Sequence, residues 1–201
     1  MTQCGSPSAP EFFPGARPSR DGLAMLENMT LYPRAAFTTV APRLENLFPM
    51  RAVEKLTVHH TGFPEPWLGD ELTATARHLE DILKLHMDST GRNWADIGYH
   101  YAVDRMGRIW QLRDLRFQGA HVKNHNSHNI GIVVLGNFDL QIPPQSQLTA
   151  LEALLRFMLN AFPGIHIGTH RELADNPTSC PGQHLQLFMD QQIDQSSEEF
   201  K

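Results

Sequence analysis

Only two of the 201 residues are cysteine, Cys4 and Cys180, which excludes a disulfide framework as the source of stability and leaves the fold compatible with a reducing compartment. Long apolar runs are also missing: no stretch approaches the roughly 20 consecutive apolar residues of a membrane span. The N-terminal stretch lacks a charged start followed by a continuous apolar core, and no apolar segment precedes Cys4. Neither Sec export nor a lipid anchor is therefore expected, and the expectation is synthesis in the cytoplasm with release or another delivery route. Basic excess is absent too. With 17 Lys and Arg against 22 Asp and Glu the formal charge is -5, so nothing provides the electrostatic footprint of a nucleic-acid groove. No internal repeat is visible.

What is present suits one globular domain, with 41% hydrophobic residues to build its core. Residues 1–45, rich in Pro, Ser, Ala and Arg, read as an irregular extension that wraps the domain or stays mobile. Residues 46–190 carry the compact domain, and residues 191–201 form a polar tail. Within the domain, strand and helix signals alternate. Lys55 to His60 reads as a strand, and Leu72, Ala76, Leu79, Leu83 and His86 recur with helical spacing. Ile97 to Val103 and Arg108 to Leu112 form a hairpin across Asp104-Arg105-Met106-Gly107. Ile130 to Leu135 is apolar enough for a central strand buried on both faces. A second helix spans Leu148 to Phe162, and a short strand, His166 to His170, precedes a last helix, Gln183 to Met189. The class is α/β, a single domain with a central mixed sheet flanked by helices, expected as a monomer.

Chemistry-bearing residues sit at the ends of these runs. Two histidines and one cysteine, drawn from Val58-His59-His60-Thr61, Gly168-Thr169-His170 and Ser179-Cys180-Pro181-Gly182, make a three-ligand set. Three protein ligands with one open position describe a hydrolytic zinc site rather than a closed structural one. Successive side chains of a strand point to opposite faces, so only one of His59 and His60 can face the metal, and His59 is the choice. The same alternation separates Tyr99 from His100: one faces the cleft and the other packs behind it. His121, His125 and His128 fall in a stretch that reads as an exposed loop, where histidines are usually solvated.

Six stretches, in order, resemble the zinc-dependent N-acetylmuramoyl-L-alanine amidases of the type 2 family, whose fold is shared by peptidoglycan recognition proteins and phage amidase lysozymes. They are Val58 to Thr61, Asp96 to Tyr101, Asp104 to Trp110, Gly119-Ala120-His121 with Asn126, Asn129 to Val133, and His170-Arg171 with Cys180-Pro181-Gly182. The resemblance implies Zn2+ held by His59, His170 and Cys180, catalytic roles for Tyr99 and Thr178, and substrate contact by His121 and Asn126. It further implies hydrolysis of the amide between N-acetylmuramic acid and L-alanine, with peptidoglycan or muropeptide as the partner. The alternatives it leaves are a module that binds muropeptide without cutting it and a hydrolase of another amide. The connection from Arg171 to Ser179 is longer than is usual in the family.

Overall fold

The computed structural model describes residues 13–199. Six strands form one mixed sheet: β1 (Thr30–Tyr32), β2 (Lys55–His60), β3 (Tyr101–Val103), β4 (Arg108–Gln111), β5 (Asn129–Val134) and β6 (His166–Thr169). Their spatial order is β1-β4-β3-β5-β2-β6. Only β3 and β4 pair antiparallel; every other neighbouring pair is parallel. β5 lies in the middle, and every residue of it is buried, as its unbroken apolar run requires. The helices are α1 (Arg20–Glu27), α2 (Leu72–Met87), α3 (Gln145–Ala161), the single turn α4 (His170–Leu173) and α5 (Gln183–Glu199).

Strand alternation divides the apolar side chains between two cores. Leu56 and Val58 of β2 join Ile130, Ile132 and Val134 of β5 in one cluster with α3 and α5. Val133 of β5 and Ala102 of β3 face the other way and join Leu79, Ile82 and Leu83 of α2. The hairpin between β3 and β4 is held by Asp104, a fully buried carboxylate. It accepts the Met106 and Arg108 N–H groups, the Arg108 Nε at 2.6 Å and the Trp110 Nε1 at 2.9 Å. A buried charge with that many donors is satisfied rather than costly.

Three expectations need correction. The segment 1–45 is only partly irregular where it is described: it supplies α1, and β1 extends the sheet by pairing with β4, Leu31 opposite Ile109. Ser19 and Asn160 exchange hydrogen bonds that tie the start of α1 to α3, and Phe13 is wholly buried against Phe157 and Tyr101, with ring centroids 4.4 and 5.1 Å away. The rest of that segment, residues 1–12 with Cys4, lies outside the described residues. Second, the strand expected from Ile97 begins only at Tyr101. Before it, side chains and loops take the backbone groups: Arg113 Nε donates to the Ile97 carbonyl, and the Gly98 N–H donates to His86 Nδ1. Third, α5 continues to Glu199, because nothing between Asp190 and Glu199 is Pro or Gly to stop it.

Two buried imidazoles staple the layers. His86 Nδ1 accepts the Gly98 N–H at 3.1 Å. His100 bridges β5 to a loop, its Nδ1 accepting the Gly131 N–H at 2.9 Å and its Nε2 donating to the Phe117 carbonyl at 3.0 Å. Burial, more than nearby arginines, lowers both to about 3. In the unfolded chain they titrate near 6.5, so between those values the unfolded state binds more protons and stability falls as pH falls. Each contributes a slope of about 1.4 kcal/mol per pH unit in that window. The urea midpoint of metal-free protein is expected to drop steeply from pH 6.5 to pH 4.5; a flat midpoint would contradict the staples. Phe13→Ala is expected to cost about 3–5 kcal/mol, as for other buried rings, and an unchanged urea midpoint would place the N-terminal segment outside the core.

Candidate metal centre

β2 and β6 are parallel neighbours, with Val58 opposite Thr169. The residues that follow these partners, His59 and His170, therefore emerge side by side at the carboxyl end of the sheet, where α/β folds bind their ligands. Their ring centroids are 4.6 Å apart. His170 is the first residue of α4, and its place is fixed by Glu172, whose carboxylate accepts the Thr169 N–H at 2.7 Å. Gln186 of α5 holds the same carboxylate from behind at 3.1 Å.

Cys180 reaches this pair by a folded-back loop. Arg171 Nη2 donates to the Ser179 carbonyl at 2.7 Å, and Asp175 accepts from His125 Nε2 at 2.6 Å and Asn124 Nδ2 at 2.9 Å. The loop closes in a turn at Gly182, whose φ is 87°. A Cβ there would stand 2.5 Å from the Phe138 carbonyl carbon, so both the backbone conformation and the close approach demand glycine. The Cys180 Sγ lies 3.7 Å from His59 Nδ1. One ligand atom from each of His59, His170 and Cys180 falls within 4.8 Å of the others.

This donor set fits zinc. A tetrahedral ion with bonds of about 2.0–2.3 Å spaces its ligand atoms by roughly 3.3–3.6 Å, close to the sulfur–nitrogen separation here. Burial, followed by neighbouring imidazoles, keeps His59 well below its usual value, and burial lowers His170 as well; both rings are neutral, as metal ligation requires. Burial pushes the Cys180 thiol up to about 12, opposed by the His60 N–H, which donates to Sγ at 3.4 Å. His60 itself turns to the other face of the sheet, where its Nδ1 accepts the Phe138 N–H at 3.2 Å.

The other candidates divide. Tyr99 is half-buried beside the site, its ring centroid 5.2 Å from that of His59. Burial, then the charge of Cys180, raises its phenol above the ordinary value, so it stays protonated at neutral pH. Thr178 Oγ1 accepts the Cys180 N–H at 3.2 Å, which ties it to the ligand loop and leaves its hydroxyl hydrogen free to donate elsewhere. His121 and Asn126 carry the expectation of substrate contact. His121 is only 8% exposed and lies behind His59, and Asn126 Oδ1 accepts the His121 and Val122 N–H groups. His125 and His128, expected to be solvated, pair with Asp175 and Glu54. Two contributors had no signal as site residues in the sequence: the backbone N–H of His60, and Asn129, whose carbonyl accepts from His121 Nε2 at 3.1 Å.

Known proteins resemble this chain in sequence and in fold. Residues 49–183 match the family model described as N-acetylmuramoyl-L-alanine amidase. The Drosophila melanogaster peptidoglycan-recognition protein SC2 is 35% identical over 115 residues, covering 56% of this chain and 60% of that protein. A human protein named N-acetylmuramoyl-L-alanine amidase is 33% identical over 134 residues, 65% of this chain but 22% of its own length. The chain thus spans less than two thirds of either relative. Among solved structures, peptidoglycan recognition protein LE in complex with tracheal cytotoxin, a monomeric diaminopimelic acid-type peptidoglycan, superposes with a TM-score of 0.71 at 23% identity, over 81% of this chain and 93% of that one; this likeness speaks for the fold. On the match to the family model, the chain belongs to the type 2 N-acetylmuramoyl-L-alanine amidase family.

Proposed function

We propose that the protein is a zinc-dependent amidase that hydrolyses the bond between the lactyl group of N-acetylmuramic acid and L-alanine in peptidoglycan or muropeptides. The observation that carries this is the convergence of His59, His170 and Cys180 at one end of the sheet, in a chain whose family is named for that bond. A module that only held muropeptide would have no use for a thiol brought across a long loop to two neutral imidazoles. The complex of peptidoglycan recognition protein LE with a monomeric peptidoglycan supports the same ligand class.

Bound zinc would supply Lewis acidity toward the amide carbonyl and lower the pKa of a water. The remaining work falls to the chain. His59 and His170 are neutral because they are buried, so they enter the site as ligands without first losing protons. Cys180 must give up its proton when the metal binds, and the His60 N–H stabilises the resulting negative sulfur. Tyr99 keeps its phenol proton at neutral pH and acts as a hydrogen-bond donor to the oxygen on which negative charge develops, rather than as a base. Thr178, anchored through its oxygen to the Cys180 N–H, has one O–H with which to hydrogen-bond the leaving amine, whose added proton comes from the attacking water.

Digestion of purified muropeptides should release stem peptides with a free L-alanine amine and leave lactyl carboxylates on intact glycan, as read by mass spectrometry. New reducing sugar ends, or L-alanine left on muramic acid, would sink the assignment, and binding without cleavage in zinc-replete buffer would make the protein a muropeptide-binding module. Tyr99→Phe should retain zinc and lower kcat by about 100-fold, the scale of one lost oxyanion donor; full activity would return Tyr99 to a packing role. Cys180→Ala should lose zinc as judged by elemental analysis, whereas Cys4→Ala should keep both zinc and rate.

A further inference from the structure

Behind the metal centre lies a chain of hydrogen bonds that the proposed reaction does not use. His59 Nε2 is 3.0 Å from His121 Nδ1, and His121 Nε2 is 3.1 Å from the Asn129 carbonyl oxygen. His59 and His121 are 1% and 8% exposed and Asn129 is fully buried, so no water competes for these contacts. The far end of the chain gives it a direction. A carbonyl oxygen can only accept, so His121 Nε2 carries a hydrogen. A second hydrogen on Nδ1 would bury a cation within ring contact of His59 and His100, which is expensive without a counter-ion. Nδ1 is therefore bare, and a bare Nδ1 at this distance requires a hydrogen on His59 Nε2. The nitrogen left with its lone pair is His59 Nδ1, the atom that stands 3.7 Å from Cys180 Sγ.

The rest of the neighbourhood is built around this ring. A Cβ on Gly119 would meet the His121 imidazole at 2.4 Å, and one on Gly131 would meet it at 2.6 Å, so two glycines form a slot closed to any larger residue. Asn126 fixes the ring's own backbone by accepting the His121 N–H at 2.7 Å. Asn129, the terminal acceptor, is pinned by Thr57 Oγ1, which donates to its Oδ1 at 2.9 Å, and by its own Nδ2, which donates to the His125 carbonyl at 2.8 Å. Thr57 and His59 share one face of β2, and Gly131 is the register partner of Thr57.

We propose that His121 is a positioning residue that holds His59 in the Nε2-protonated tautomer and in one orientation, so that Nδ1 is presented to the metal. The inference rests on the zinc reading of the site, but its first test does not. Long-range 15N–1H correlation spectra of the metal-free protein should report His59 and His121 both as Nε2–H tautomers. A His59 in the Nδ1–H form would overturn the proposal whether or not the protein binds zinc.

The second test measures zinc affinity by competition with a chromophoric chelator. His121→Phe keeps the ring volume and removes the acceptor, and should weaken zinc binding by about 10- to 100-fold, the usual cost of losing a partner behind a metal ligand. His121→Asn puts an acceptor oxygen where Nδ1 stands and should recover affinity to within about threefold of the unaltered protein. Unchanged affinity in His121→Phe, or equal losses in both variants, would overturn the proposal. Should His121→Phe fail to fold, the tautomer spectrum of the unaltered protein decides. Failure of the unaltered protein to bind zinc would instead defeat the functional reading.

Discussion

The parallel pairing of β2 with β6 is the constraint on which the rest depends. Because Val58 stands opposite Thr169, the two strands end together, and the next residues on each are His59 and His170. Neither histidine has to be steered by a loop. A slip of one residue in this pairing would turn the imidazole of His59 to the opposite face of the sheet and put His60 in its place. Register in turn is held by burial on both faces. Leu56 and Val58 are locked against α3 and α5, and β5, the other parallel neighbour of β2, is buried throughout. The apolar cores thus determine the position of a polar site at their edge.

Cys180 is the proposed ligand that the sheet does not place, and the structure spends many contacts on it. Its loop is fastened at Asp175 and Ser179 and closed by a turn at Gly182. The remaining polar groups form a layer beneath the ligands, from Thr57 and Asn129 through His121 to His59. Buried polar groups are tolerable only when each is paired, and here the pairing reaches His59, a proposed metal ligand. The same hydrogen bonds thus serve the core and the proposed metal centre, with His100 fastened to the backbone of Gly131 at the floor of the slot.

Much of this was legible from residue order. Apolar periodicity placed β2, β5, α2 and α3 near their observed bounds, because those elements are long and bury one or both faces. Strand alternation separated His59 from His60 for a physical reason that the structure repeats. The short elements were harder. β1 has three residues and little apolar signal of its own; it exists because β4 offers an edge to pair with. Ile97 to His100 has the pattern of a strand, but the Arg113 side chain takes the Ile97 carbonyl and His86 takes the Gly98 N–H, a competition invisible without the fold. His121 shows the limit most clearly. The sequence displays Gly119-Ala120-His121 and Asn129-Ile130-Gly131 as separate motifs, and only the packing of a loop against β5 reveals that the glycines of both make room for one ring.

The account stands or falls on the ligand set. Zinc K-edge X-ray absorption of the zinc-loaded protein measures it directly. The expected first shell contains one sulfur at about 2.3 Å and two imidazole nitrogens at about 2.0 Å, with a light atom completing four-fold coordination. A shell without sulfur, or one with three or more imidazoles, would contradict the account.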